Sequence, residues 1–192
     1  MKNSSYNVEI IRSKRKTISL QISRDGRIVV RAPMRMRAAE IEAFVSSRSD
    51  WIEKSLRKMQ ALKEKTADVE PLTDEELKAL AKRAREYIPQ RVSFYAPLVG
   101  VQYGNISIRA QKTRWGSCSS KGNLNFNCLL MLAPAEVIDS VVVHELCHRK
   151  EMNHSARFYN EVRRVFPDYD KFHKWLKANG ELLLARLPVR NS

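Results

Sequence analysis

The chain has 192 residues, 43% of them hydrophobic and 29% charged, with a net charge of +14. That length suits one domain, or one domain with a small appendage, and suffices for a buried core; the reading taken here is a single domain over 1–192, with N-terminal strands and helices over 1–65 and a catalytic portion over 73–180. No apolar run reaches the roughly eighteen residues of a transmembrane helix, and Met1-Lys2-Asn3-Ser4-Ser5 lacks a secretory core, so a cytoplasmic protein is expected.

The three cysteines, Cys118, Cys128 and Cys147, form no C-x-x-C pair, which argues against a disulfide framework or a four-cysteine zinc site. Cys147 reads as a small core residue. The positive charge would attract nucleic acid, nucleotides or acidic surfaces, and it equally suits a generally basic protein, because it is spread along the chain.

Tyr6–Ile11 and Thr17–Ser23 read as strands, the second alternating at Ile18, Leu20 and Ile22. Asp25-Gly26 is a hairpin turn signal before Ile28-Val29-Val30, and Arg12–Lys16 reads as a basic, solvated hairpin tip. Helical patterns follow over Ala38–Val45 and Asp50–Lys65, the latter with Trp51, Ile52, Leu56, Met59 and Leu62 on one stripe. A polar stretch, Thr66–Pro71, is the best candidate for a linker.

Thr73-Asp74-Glu75-Glu76 is a capping box. It opens a helix with Leu77, Leu80, Ala81, Ala84, Tyr87 and Ile88 on its buried face, kinked at Pro89 and ended by Pro97 with Gly100. Asn105–Ala110 and Asn123–Met131 read as two strands pairing as a hairpin. Their loop, Thr113–Gly122, carries Arg114 and Trp115, which either wall a cleft or plug the core. The second strand would offer a backbone edge to an extended substrate.

Pro134 suits a first helical position, and a helix is read through Val143 with Ala135-Glu136 and Asp139-Ser140 on its polar side. Ser155–Phe166 and Asp168–Asn179 are the last helices. The first carries Phe158, Val162 and Val165 inward and stops at Pro167; the second carries Phe172, Trp175 and Leu176, with Gly180 as C-cap. Residues 182–187 pack back, and Val189–Ser192 reads as a loose tail.

Three of the four histidines fall between positions 144 and 154, in His144-Glu145-Leu146-Cys147-His148 and then His154. On a helix, His144 and His148 lie about 40° apart around the axis and about 6 Å apart along it, so both imidazoles reach one point. Glu145 lies about 100° further round, beside that point. Two neutral imidazoles that hold Zn²⁺, with a carboxylate to take a proton from a metal-activated water, form a hydrolytic site. His154 joins as third ligand only if the helix stops near Glu151, where Asn153 tolerates a left-handed turn and Ser155 can cap a new helix. Three protein ligands and one open position is the pattern of a catalytic zinc site.

Arg-Trp-Gly-Ser-Cys at 114–118, the strand around Leu124 and Asn125, Val-His-Glu-Leu-Cys-His at 143–148 and Asn-His-Ser-Ala-Arg-Phe-Tyr at 153–159 together resemble the YgjP-like metallopeptidase family, relatives of the SprT-like zincins. The resemblance implies an α+β, zincin-like fold, with N-terminal antiparallel hairpins and a helical region whose H-E-x-x-H helix packs on a small sheet. It implies His144, His148 and His154 as zinc ligands and Glu145 as general base. Glu151 stands where metzincins have Gly, and an acidic third ligand such as Glu161 ranks below His154. Arg114, Tyr159 and His173 are candidates for stabilising an oxyanion. A peptide or protein is the first substrate reading. A nucleoside triphosphate such as UTP, hydrolysed as by pyrophosphatases attached to close relatives, and a DNA-associated SprT-like protease are the alternatives.

Overall fold

The computed structural model describes residues 6–23 and 25–188, so the Met1–Ser5 start and the Val189–Ser192 tail lie outside the described residues. It is an α+β protein of two small mixed sheets and six α-helices, and the chain divides into two compact units, Met1–Ala67 and Asp68–Ser192. The division falls inside the polar Thr66–Pro71 stretch. No helix among the described residues is long and apolar enough to cross a membrane.

In the first unit, strands β1 (Val8–Ser13), β2 (Ser19–Ile22) and β3 (Ile28–Pro33) precede helices α1 (Ala38–Ser46) and α2 (Ser49–Lys65). The sheet order is β1-β3-β2; β2 and β3 form the antiparallel hairpin through a turn in which Gly26 takes φ 85°. β1 instead pairs in parallel with β3, from Val8 opposite Ile28 to Ser13 opposite Pro33. The Arg12–Lys16 segment is therefore not a hairpin tip. β3 carries the consecutive buried run Ile28-Val29-Val30, a pattern that suits a central strand better than an edge. Arg12 is also not free in solvent, since its Nη1 donates to the carbonyls of Pro33, Met34 and Met36. On α2, Ile52 is buried but Trp51 is 47% exposed, so the expected apolar stripe loses its aromatic member.

The second unit opens with α3 (Asp74–Val99), capped reciprocally by Thr73 and Glu76 as the sequence indicates. Pro89 and Pro97 both lie inside the helix, which Gly100 closes in the left-handed conformation at φ 77°. Three strands follow, β4 (Ile106–Arg109), β5 (Gly116–Cys118) and β6 (Leu124–Asn127), in the order β4-β6-β5. β4 and β6 are parallel, not the expected hairpin, and β5 pairs antiparallel to β6 from within the stretch read as a loop. β6 is the central strand with both edges taken, so the sheet's outer edges belong to β4 and β5. Beyond Asn127 the predicted strand becomes a 3₁₀ turn, Cys128–Leu132.

Helices α4 (Ala135–Cys147), α5 (Ala156–Val165) and α6 (Tyr169–Ala185) complete the unit. Their apolar faces share one core with α3 and β6, including Ile88, Val92, Phe126, Val142, Leu146, Phe158 and Leu176. α6 continues through Gly180, which is therefore no C-cap. A Cβ there would lie 3.1 Å from the Trp115 ring, so the missing side chain is the notch that seats the indole. Leu187 packs back as expected, with Leu72, Leu80 and Leu129.

Asp139 and Ser140 do not form a polar side of α4; both are buried, at 7% and 1% exposure. Asp139 is tolerated because it is fully partnered. Arg91 Nε and Nη2 donate to its two oxygens at 2.7 Å each, and the Tyr95 hydroxyl donates at 3.1 Å. This fork ties the middle of α3 to α4. Asp139→Asn, which keeps the shape and removes the charge, is expected to destabilise the protein by about 2–3 kcal/mol in denaturant melts, with unchanged stability as the refuting outcome.

Candidate metal centre

The buried run Val141-Val142-Val143 anchors α4 in the core, with His144 half-buried and His148 buried, both against Phe158 of α5. The helix ends at Cys147, earlier than expected, with His148 as the capping residue at φ −61° and ψ −16°. Lys150 and Glu151 N–H both donate to the Cys147 carbonyl, at 3.0 and 3.1 Å. Among the described residues no non-glycine has a positive φ, so Asn153 does not make the left-handed stop the sequence suggested. The chain turns back without a left-handed residue, and the Ser155 hydroxyl accepts from Phe158 N–H at 3.3 Å to start α5.

That return brings His154 to the helix. One ligand atom from each of His144, His148 and His154 lies within 4.8 Å of the others, and the Nε2 atoms of His144 and His154 are 3.0 Å apart. Tetrahedral coordination with metal–nitrogen distances of about 2.0–2.1 Å places ligand nitrogens about 3.3 Å from one another, and the His144–His154 pair is near that spacing. The outer nitrogens agree. The Glu151 carbonyl can only accept, so His148 Nδ1 carries the proton shared at 3.2 Å and Nε2 keeps its lone pair. His144 Nδ1 lies 2.8 Å from the Tyr169 hydroxyl. Burial, reinforced by the neighbouring imidazoles, holds His144 down to about 3, and burial lowers His148 as well. Both shifts favour the neutral imidazole, the form a metal takes.

Phe158, read from sequence as a core residue, also floors the cluster. Its ring centroid lies 4.9, 4.6 and 4.9 Å from those of His144, His148 and His154. Glu161 is not drawn in as a ligand. Arg164 grips its two oxygens at 2.7 and 3.0 Å, and Lys150 binds the same carboxylate from the turn after α4. Arg164 Nη2 also donates to Leu98 O at 3.1 Å. The cluster thus clamps the turn that delivers His154.

Glu145 is buried at 5% exposure, and its Oε2 has no hydrogen-bond partner among the described residues. Burial pushes its carboxyl up to about 8, against the pull of the Arg114 charge. The carboxylate lies against β5: a Cβ on Gly116 would fall 2.6 Å from its Oε1. Beside it opens a cavity of about 180 Å³, with Trp115, Val141 and Leu176 as apolar wall and His144, Glu145 and His173 as polar wall. Trp115 therefore does both things the sequence left open, packing on Gly180 and walling the cleft. Of the oxyanion candidates, His173 lines the cavity, Tyr159 stacks on His154 at 6.1 Å, and Arg114 is exposed.

Sequence reasoning missed Tyr169, Gly116 and Asn127. Buried Asn127 donates to the carbonyls of Gln111 and Arg114, at 2.8 and 3.1 Å, and so holds the segment leading into β5. The available signal for Tyr169 was its helical spacing to His173, four positions later on α6.

Two substitutions probe this arrangement. Gly116→Ala is expected to keep bound metal at the wild-type ratio while hydrolytic turnover falls at least tenfold, because the methyl displaces the Glu145 carboxylate; unchanged turnover would refute the close fit. Arg164 first, with Lys150, holds the Glu161 carboxyl down to about 2. A depressed folded pKa means stabilisation that is present above the ordinary carboxylate range and is lost as pH falls toward 2. Glu161→Gln should therefore cost about 1–2 kcal/mol at pH 7, with the difference from wild type shrinking in melts below about pH 4.5 and vanishing only as pH falls through 2.

The model of the YgjP-like metallopeptidase domain family matches residues 16–80 and 74–179. No curated protein matches the chain. Among solved structures, it is similar to the metallopeptidase zymogen of Pyrococcus abyssi abylysin at 22% identity and a TM-score of 0.43, over 47% of this chain and 93% of that one. It is similar also to the metallopeptidase zymogen of Methanocaldococcus jannaschii jannalysin at 24% identity and a TM-score of 0.43, over 48% and 95%. With the family model spanning most of its length, the chain belongs to the YgjP-like metallopeptidase family.

Proposed function

We propose that this protein is a zinc-dependent peptidase in which His144, His148 and His154 hold the ion and Glu145 is the general base. The observation that carries the reading is the convergence of three imidazole ligand atoms within 4.8 Å, beside a buried and unpartnered carboxylate oxygen. Three imidazole nitrogens with room for a fourth ligand favour zinc in a catalytic setting. A zinc ion so held supplies Lewis acidity, favouring deprotonation of water near pH 7 and polarising the scissile carbonyl.

The protein's own residues do the rest. Glu145 accepts a proton from the attacking water and returns it to the leaving amine. Positive charge nearby, from Arg114 and from a bound cation, favours the ionised carboxylate that this role needs. An extended peptide can add to the unpaired edge of β5 by main-chain hydrogen bonds, and one of its side chains can enter the cavity walled by Trp115, Val141 and Leu176.

Glu145→Gln is expected to retain zinc and lose at least a hundredfold in turnover, and chelation should silence the wild type until zinc is restored. A casein digest run beside a nucleotide panel measures the substrate class. Pyrophosphate release from UTP without peptide cleavage, or full activity of the Glu145→Gln protein, would overturn the reading.

A further inference from the structure

Tyr169 and His173 line the same cavity as Glu145, yet neither is a ligand nor the base. The Tyr169 side chain is 2% exposed and its hydroxyl sits between two ring nitrogens, His144 Nδ1 at 2.8 Å and His173 Nδ1 at 3.2 Å. A phenol has one proton to donate. Of the two nitrogens, one receives that proton, and the other must give its own to the hydroxyl oxygen.

The direction is settled at His144. When its Nε2 lone pair is used for a metal, its ring proton is on Nδ1 and is donated to Tyr169. The Tyr169 proton then goes to His173 Nδ1. That leaves neutral His173 with its own proton on Nε2, which has no hydrogen-bond partner among the described residues. Burial first, and then the Lys177 charge, lower the His173 pKa, in keeping with a neutral ring. The alternatives are less suited. The Tyr169 proton is already committed, and the Tyr159 ring lies stacked along His154.

We propose that His173, set by Tyr169 as the Nε2–H tautomer when His144 ligates a metal, donates that N–H to the oxyanion forming on the substrate carbonyl. This rests on the metallopeptidase reading. It makes His173 a catalytic residue and Tyr169 a positioning residue, linked to the metal centre by two hydrogen bonds.

Long-range ¹H–¹⁵N NMR reads the His173 tautomer without any substrate. Zinc-loaded wild type should show predominantly Nε2–H, and zinc-loaded Tyr169→Phe a mixture, with zinc affinity lowered about 10–100-fold. In peptide hydrolysis, His173→Ala should lose about 10²–10³ in kcat with unchanged zinc content and KM within about threefold, and His173→Gln should recover part of the loss through its amide N–H. An Nδ1–H tautomer in the zinc-loaded protein, or wild-type kcat in His173→Ala, overturns the proposal. The two readings fail differently. A zinc-loaded wild type that cleaves no peptide removes the oxyanion role together with the peptidase, whereas an active wild type with an equally active His173→Ala removes the role of His173 alone.

Discussion

Three imidazole lone pairs must converge on one point, and only two can come from the same helix. Six positions beyond His148, a continuing helix would carry His154 to about 240° round the axis, away from the other two. Helix α4 therefore has to end at Cys147, and much of the second unit enforces that ending. Ser155 starts α5 at once, Lys150 and Arg164 fasten Glu161 across the turn, and the Phe158 ring packs against all three imidazoles, stacked with His148 and edge-on with His144 and His154. Each is a short-range interaction of modest strength. Together they hold a conformation that a single cap would leave free to fray.

The opposite side of the site follows the same logic with different parts. Glu145 sits on the face of α4 that meets β5, where any side chain larger than glycine would collide with its carboxylate. β5 is held there by pairing with β6, and the segment before it is held by buried Asn127. Trp115 at its start is seated in turn on Gly180 of α6. Two glycines, neither in a left-handed conformation, thus set how closely three elements approach. Their role is the absence of a Cβ rather than backbone freedom.

What was legible in the sequence divides along the range of the interactions. Most local signals hold: the Thr73 capping box, the Ser155 cap, the Asp25-Gly26 turn and the spacing of His144, His148 and His154 describe what the structure contains, whereas Gly180 as a C-cap and Asn153 as a left-handed stop do not. Non-local signals do not. Both three-stranded sheets place the third strand in the centre with the first parallel to it, whereas proximity in sequence suggested hairpins. Gly116-Ser117-Cys118 has turn-like composition and becomes a strand only because β6 offers it a partner. Asp139 looked like a surface residue because its partners, Arg91 and Tyr95, are more than forty positions away. Tyr169 escaped notice although His173 lies only four positions on, because its other partner, His144, is on a different helix.

The site also departs from the consistency found elsewhere in the fold. Asp139, a buried carboxylate, is held by a guanidinium fork and a phenol. Glu145, another, has an oxygen with no partner among the described residues, a burden of about 1–3 kcal/mol for an unsatisfied polar group. The His144 and His154 Nε2 atoms, 3.0 Å apart, are within hydrogen-bond distance of each other, a contact that a cation would replace. A cation at the three nitrogens turns their lone pairs into ligands and sets positive charge beside the carboxylate. Ligand binding to the folded state alone raises its stability by mass action. The unsatisfied oxygen of Glu145 thus lies beside the three imidazoles that suit a cation, whereas at Asp139, away from that cluster, every oxygen has a partner.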